Sequence, residues 1–514
     1  MKLIRVLSVV IFLIHSSCGA RILFTCPAAS YSHQIFFRKI WLELARKGHD
    51  LVVMTTDVME NAPKNVRQID WSGAYHIRHH VHNVSNIYLN DASYYQKMKS
   101  IMKWIEDTND FELSHPDVKE LLNDKTEHFD VVINEIHLEV FNAFAVRFNC
   151  PLIGVSSAEI MNGHYETLGI PSHPIQYSDV ILPFYGPQSI LERMVSVGFY
   201  LFKKTFPLLS LIKRSEGVDQ VEKYFGPNMP SREDIVRNVS LVLINSHPVY
   251  NSRPLSPWLV RIGGQLHLDS PKPLPKDVQD FLDSGKDGVI YLSFGTNVKS
   301  DHVTPELQKI LLQTFKELPY KVLWKFETEL NTDNGNVKFA KWLPQQDVLR
   351  HKNIKLFITQ GGVQSVDESI ANHVPLLVVP FVSDQKFQAK KISTLGIGVS
   401  LDKYKVTIES LKEAILTVIN TPKYKKTVEE LSNVFNDQPM SGLDTAVWWI
   451  EYVIRHRGTK YLKSSFFQIP WYQYFFLDVG LIFILTSYTL YKILKFVIML
   501  FIRLFVKLRK IKNE

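Results

Sequence analysis

With three cysteines in 514 residues, the chain cannot be built on a disulfide framework. Cys26 and Cys150 each sit beside an apolar, strand-like run and read as core packing, and two cysteines make no metal site. There is no Asp-x-Asp motif of the kind that holds a divalent metal, no internal repeat and no low-complexity tract. No G-x-G-x-x-G follows the first strand of either half, which counts against a dinucleotide oxidoreductase. The body also lacks net charge. Of the formal +8, residues 1–20 carry +2 and residues 479–514 carry +6, leaving 0 over residues 21–478. A basic groove for nucleic acid is therefore not indicated.

What is present starts with a leader. Lys2 and Arg5 precede the apolar run Val6 to Ile14, and small residues stand at Cys18, Gly19 and Ala20, the pattern of a secretory signal over residues 1–20. The run is too short to cross a bilayer, which takes about 20 residues. Near the other end, residues 475–502 are mostly apolar, with Trp471, Tyr472 and Tyr474 before them and a basic tail, residues 503–514, after them. This predicts a transmembrane helix whose tail faces the cytosol and whose body faces the lumen. Lys492 and Lys495 interrupt it, so either they snorkel to the interface or the span ends near Tyr491. The C-terminal Lys510-Ile511-Lys512-Asn513-Glu514 matches a KxKxx endoplasmic-reticulum retrieval signal, and also fits a plain basic flank. The sequons at Asn83 and Asn238 suit a lumenal, glycosylated body.

Between these ends, short apolar runs alternate with helical periodicity, which predicts an α/β protein with parallel sheets. Strands are expected at Ile22–Cys26, Leu51–Thr55, Phe129–Ile133, Leu152–Val155 and Leu241–Asn245, with a helix from Gln34 to Arg46. The rhythm breaks between Glu159 and Asp234, a stretch that reads either as an ordinary helical insertion or as a greasy lid. A Gly-, Ser- and Pro-rich segment, residues 263–275, is the expected linker between an N-terminal domain, 21–262, and a C-terminal domain, 276–460. In the latter, strands are expected at Val289–Phe294, Val322–Phe326, Ile354–Ile358 and Leu376–Val379, and helices open at Thr304 and Thr407.

Ligands collect at the carboxyl ends of strands in open α/β sheets. Three loops there are informative. Gly295-Thr296 lets backbone N–H groups approach an anion, and Thr359-Gln360-Gly361-Gly362-Val363-Gln364-Ser365 leads into a helix carrying Glu368. Asp384-Gln385 sets a carboxylate beside an amide, suited to sugar hydroxyls. Taken singly, a Gly-Gly pair is a tight turn and Asp384 a plain N-cap.

Together, the run Trp342-Leu343-Pro344-Gln345-Gln346-Asp347-Val348-Leu349, then Phe357-Ile358-Thr359-Gln360-Gly361-Gly362, Glu368, Pro375, Pro380 and Asp384-Gln385 resembles the signature of the UDP-glycosyltransferase family, insect-type branch. The likeness extends from Ile22 to the basic tail. It implies a GT-B fold of two facing Rossmann-like domains, the C-terminal one holding the nucleotide and the N-terminal one the acceptor. By resemblance, Trp342 stacks on uracil, Gln345 holds base or ribose, and Glu368 binds ribose hydroxyls. Ser293, Thr296, Gln360, Gly362 and Ser365 meet the phosphates, and Asp384 and Gln385 take the sugar. Where many members carry His before Gly-Gly, this chain has Gln360, which can donate to a phosphate but brings no charge.

In the N-terminal domain the resemblance selects His33 as the general base, since imidazole ionises near neutrality. Its acidic partner is expected at Glu135, where vertebrate relatives have Asp; His137 and Asp130 are rivals. The reading is an inverting, metal-independent transfer of a hexose, glucose first, from a UDP-sugar co-substrate to a small lipophilic acceptor, with no cofactor and no nucleic-acid partner. The expected location is the endoplasmic reticulum membrane, as a single-pass type I protein that is alone or oligomeric. The alternative is an anchored protein that binds a UDP-sugar or a lipophile without turning over.

Overall fold

The computed structural model describes residues 19–511 apart from 90–92, 171, 212–218, 252, 329–334, 382–383, 464–468 and 475. Of the expected leader only Gly19 and Ala20 are among them. Two parallel sheets organise the chain. In strand β1 (Arg21–Cys26) Ile22, Leu23 and Phe24 are successively buried, so both faces of the strand are covered, as in a sheet with helices on each side. With β2 (Asp50–Thr55), β3 (Val66–Asp70), β4 (Val131–Glu135), β5 (Leu152–Ser156), β6 (Leu241–Ile244) and β7 (Leu259–Arg261), it forms a seven-stranded sheet in the order β3-β2-β1-β4-β5-β6-β7. The second sheet has six strands, β8 (Val289–Ser293), β9 (Lys321–Lys325), β10 (Val337–Ala340), β11 (Ile354–Thr359), β12 (Leu376–Val378) and β13 (Gly398–Ser400), in the order β10-β9-β8-β11-β12-β13.

The nine inner strands are those the apolar runs announce. β3, β7, β10 and β13, which they do not announce, are the four edges. An edge strand is covered incompletely and needs no unbroken apolar run: β10 has no fully buried residue, and β3 buries only Val66 and Ile69.

Helices cover the sheets through apolar stripes. Phe36, Phe37, Ile40, Trp41 and Leu44 of the helix Tyr31–Arg46 recur at helical spacing and pack against Phe24 and Val53. Each such side chain contributes about 1.5–3 kcal/mol on burial. Thr304 and Thr407 cap the helices Pro305–Lys316 and Ile408–Asn420, as the sequence leads one to expect. The helix Gly442–His456 crosses back: Ala446, Val447, Ile450 and Val453 join the core of the first sheet, although by sequence number they fall in the expected C-terminal domain. The segment expected as linker is tied down at both sides. Gln346 Oε1 accepts the Asp269 N–H at 2.7 Å, Asp347 accepts the Lys272 N–H at 3.0 Å, and Lys39 pairs with Asp269.

In the stretch with broken rhythm, the helix Ile190–Leu211 runs through Pro207 without a stop. Ser196, Phe199, Tyr200 and Lys203 line an internal cavity, while Ile190, Leu191, Met194, Val195 and Leu201 are exposed on the same helix.

Beyond Lys463 the chain forms a separate unit. The span expected over residues 475–502 is not shown here. The helix runs further, Leu477–Ile511, and Lys492 and Lys495 leave no uninterrupted apolar stretch near the required length of about 20 residues. No helix among the described residues is long and apolar enough to cross a membrane. Its apolar side chains, Phe483, Ile484 and Phe505 among them, are exposed.

Candidate active site

The first part of the site forms where β1 and β4 end side by side, with Thr25 level with Asn134 and its hydroxyl donating to Asn134 Oδ1 at 2.7 Å. After β1 the loop is braced by Gln34, whose amide donates to the carbonyls of Cys26 and Ala28 at 2.8 and 2.7 Å and whose oxygen accepts from Thr55 at 2.7 Å. This bracing delivers His33 in the first turn of its helix. Glu135 is the last residue of β4. Its Oε1 lies 2.5 Å from His33 Nδ1, and its side chain is 2% exposed against 32% for the histidine. Held this way, Nδ1 carries the proton and Nε2 is the bare nitrogen, the tautomer a base requires.

The rivals are elsewhere. Asp130 accepts the Arg21 N–H at 2.8 Å, at the opposite end of the sheet. His137 points its Nε2 at Ser156 Oγ, 2.9 Å away, and packs edge-on against His164 at 4.8 Å. Burial pushes the His137 pKa well below the usual range, so it is a neutral ring in the wall rather than part of the dyad.

The second part belongs to the other sheet. Ser293 ends β8 and accepts the Gly295 N–H at 3.3 Å. Gly295 has φ +74°, a backbone conformation that favours glycine, and a Cβ there would stand 2.5 Å from Gln360 Nε2 and push that amide aside. Gln360 follows β11, and Gly362 precedes the helix Val363–Ala371 that carries Ser365 and Glu368. Gln345 ties this group together: Nε2 donates to Ser365 Oγ at 2.9 Å and to Glu368 Oε2 at 2.6 Å, while Oε1 accepts from Tyr291 at 3.2 Å. Gln346 adds a bond to Glu368 Oε1 at 3.1 Å. Burial raises the Glu368 carboxyl to about 7, opposed by these amide donors. Trp342 is 57% exposed, and Tyr31 from the other domain meets it edge-on at 5.5 Å.

Asp384 begins the helix Gln385–Leu395 without capping it, and desolvation in the cleft raises its carboxyl. Gln385 Nε2 donates to Gln360 Oε1 at 3.0 Å, and its own Oε1 accepts the Phe381 N–H at 2.7 Å, so it links the phosphate loop expected from sequence to the expected sugar loop. Thr296 lies in the same loop as Gly295.

Three residues that sequence reasoning missed join the halves. Gln364 Nε2 donates to the Ser32 carbonyl at 2.6 Å, pinning the turn that bears His33. Arg78 reaches Asn297 Oδ1 at 3.1 Å from the other domain. Gln364 lies inside the signature, so its position was readable though its contact was not; nothing local marks Arg78 or Asn297.

His33 and Glu135 also line a cavity of about 1170 Å³, whose wall includes Met98, Ile101, Trp104, Leu182, Phe199 and Tyr200. It is a greasy chamber opening on an imidazole. Among the described residues no group of three or more His, Cys, Asp or Glu could hold a metal ion. Of the sequons, Asn83 and Asn238 are exposed.

The family model described as UDP-glucoronosyl and UDP-glucosyl transferase matches residues 21–512. UDP-glucosyltransferase 2 of Dactylopius coccus is 32% identical, covering 91% of this chain and 90% of that one. The ecdysteroid UDP-glucosyltransferase of Mamestra brassicae nuclear polyhedrosis virus is 31% identical, with 88% of each covered. In fold, the chain resembles Os79 from O. sativa in complex with UDP, with TM-score 0.58 at 16% identity over 84% of this chain and 99% of that one. It also resembles the glycotransferase of kitacinnamycin, with TM-score 0.57 at 17% identity over 85% and 99%. Two facing parallel-sheet domains, a His–Glu pair at the mouth of an apolar chamber and this match over nearly the whole chain lead to one conclusion: the protein belongs to the UDP-glucuronosyl and UDP-glucosyl transferase family and is a GT-B glycosyltransferase that uses a UDP-sugar.

Proposed function

We propose that the enzyme transfers glucose from UDP-glucose to a hydroxyl of a bulky lipophilic acceptor, in one inverting displacement that uses no metal. The observation that carries this is the 2.5 Å His33–Glu135 contact at the wall of the 1170 Å³ apolar cavity. The acceptor hydroxyl gives its proton to His33 Nε2 as its oxygen bonds to the anomeric carbon. The bond from that carbon to the diphosphate breaks, and its electron pair leaves with UDP. Glu135 holds the imidazolium that forms. The cavity is large enough for a steroid-sized molecule, in keeping with relatives named for ecdysteroid and glucosyl transfer.

UDP release measured over UDP-glucose, UDP-galactose, UDP-N-acetylglucosamine and UDP-glucuronate, with a mixed phenol and steroid pool, tests this. The fastest release is expected with UDP-glucose. Release with UDP-glucuronate alone would overturn the choice of sugar, and UDP binding without release on any pair would favour the binding-protein alternative.

On the nucleotide side, Trp342 is proposed to stack on uracil, an interaction worth about 1 to 3 kcal/mol. Trp342→Ala should therefore weaken UDP binding by about tenfold or more in calorimetry. An unchanged dissociation constant would remove Trp342 from the site.

The proposed location is the endoplasmic reticulum membrane with the body in the lumen. Support comes from the leader, the exposed sequon asparagines, and the apolar, exposed C-terminal helix with its basic end. In the proposed arrangement Lys492 and Lys495 snorkel. Lys510 and Lys512 act as the retrieval signal; Lys512 lies outside the described residues. Lys510→Ser with Lys512→Ser should leave the protein resistant to carbonate extraction while its glycans at Asn83 and Asn238 become endoglycosidase-resistant. Glycans that stay sensitive would argue against retrieval by these lysines.

A further inference from the structure

Every residue assigned above to the phosphates, Ser293, Thr296, Gln360, Gly362 and Ser365, is uncharged; of the titratable groups around them Glu368 and Asp384 are acids, and the buried Lys391 is set among the carboxylates of Asp367, Glu159 and Asp384. UDP-glucose nevertheless brings a dianionic diphosphate, and the oxygen that leaves the anomeric carbon gains a further negative charge. The helix Val363–Ala371 offers only the partial charge of its N-terminus, about half a unit. Lys325 approaches the loop after β8 from its own domain, donating to the Gly295 carbonyl at 2.9 Å and pairing with Glu327 at 2.5 Å.

The cleft does contain a guanidinium, and it comes from the opposite domain. Arg78 lines a cavity of about 310 Å³ together with His33, Asn297, Asp384 and Gln385, so it shares one space with the base and with both residues expected to hold the sugar. Its Nη1 donates to the Ala29 carbonyl, four residues before His33. Its Nη2 donates to Asn297 Oδ1 at 3.1 Å, two residues beyond Gly295, and its Cζ stands 5.9 Å from the Trp104 ring centre. The side chain is thus held between the loop that carries the base and the loop that leads β8 into the expected phosphate site. His79, next in sequence, adds no charge: burial, with Lys299 and Arg78 nearby, lowers it to about 4.

We propose that Arg78 supplies the positive charge for the donor's diphosphate, binding the phosphate oxygens across the cleft and stabilising the charge that develops as UDP departs. This rests on the displacement proposed above. Because the cation and the phosphate loop belong to different domains, it acts only when they face each other, which ties leaving-group stabilisation to the same closed arrangement that brings His33 to the sugar.

Calorimetry with UDP and with uridine, and turnover with UDP-glucose, test this on the full chain. Arg78→Met should weaken UDP binding while leaving uridine unchanged, and should lower kcat by about 100- to 1,000-fold, as loss of one preorganised donor to a developing anion does. Arg78→Lys should recover part of both, and added guanidinium ion should partly restore Arg78→Ala; near-UV circular dichroism and melting establish that each variant is folded. Wild-type UDP affinity in folded Arg78→Met would overturn the proposal. So would a loss confined to UDP-glucuronate, which would assign Arg78 to a sugar carboxylate. So would an equal loss in Asn297→Ala, together with no guanidinium rescue, which would make Arg78 an interdomain latch. Failure of the glucosyl-transfer reading itself would appear instead as a wild-type enzyme inactive on UDP-glucose, and the UDP–uridine comparison does not depend on turnover.

Discussion

Turnover in His33→Ala is expected to fall by about 100- to 10,000-fold, the range in which a positioned general base operates. The loss should appear in kcat, with UDP binding intact, because Trp342, Gln345 and Glu368, proposed to hold the nucleotide, belong to the other sheet's domain, where Gln345 keeps its bonds to Ser365 and Glu368. Calorimetry with UDP beside steady-state kinetics with a phenolic acceptor separates the two. The defect should shrink with an acceptor already ionised at assay pH, since no proton then needs to be removed. Wild-type turnover in the variant, or parallel loss of UDP binding, would refute the assignment. Removing the ring leaves the Glu135 carboxylate, 2% exposed, without its partner, so some fall in melting temperature is expected and near-UV circular dichroism must show the variant folded.

Glu135→Gln is expected to cost less than His33→Ala, about 10- to 1,000-fold in kcat. In the proposed mechanism the 2.5 Å contact does two things: it fixes the proton on Nδ1, and it places a negative charge against the imidazolium that forms. An amide can orient the ring through its oxygen but cannot supply that charge, and if its nitrogen turns inward the ring is held in the wrong tautomer. The substitution also removes a buried carboxylate whose Oε2 has no hydrogen-bond partner among the described residues, so stability should be unchanged or rise. A fall in both kcat and melting temperature would point to a structural role. Glu135→Asp retracts the carboxylate by about one methylene, roughly 1.5 Å. Partial activity is therefore expected, more than in Glu135→Gln.

How far the sequence could be read follows from how each signal arises. A strand buried on both faces needs consecutive apolar residues, so Ile22 to Phe24 or Ile290 to Leu292 announce themselves, whereas the edge strands β3 and β10 carry Arg67, Gln68 and Lys338 and do not. The signature from Trp342 to Gln385 was legible because its residues are close in the chain and converge through one helix and its flanking loops. Gln345 meets Ser365 and Glu368 only 20 and 23 residues away. In the N-terminal half, Glu135, His137 and Asp130 are all within a few residues of one another, and composition cannot choose among them. β4 decides, because it sends Asp130 to the sheet's far end and leaves His137 against Ser156.

What the sequence by itself determined was the α/β class, the nine inner strands and the family signature, all of which depend on periodicity or on residues near each other in the chain. What only the tertiary structure decided was which acid faces His33, how the helix Gly442–His456 returns to complete the first core, and that Arg78 meets Asn297 across 219 positions of chain. Such contacts leave no local pattern, since each joins residues far apart in the chain, within the first sheet and its core or, for Arg78 and Asn297, across the two sheets.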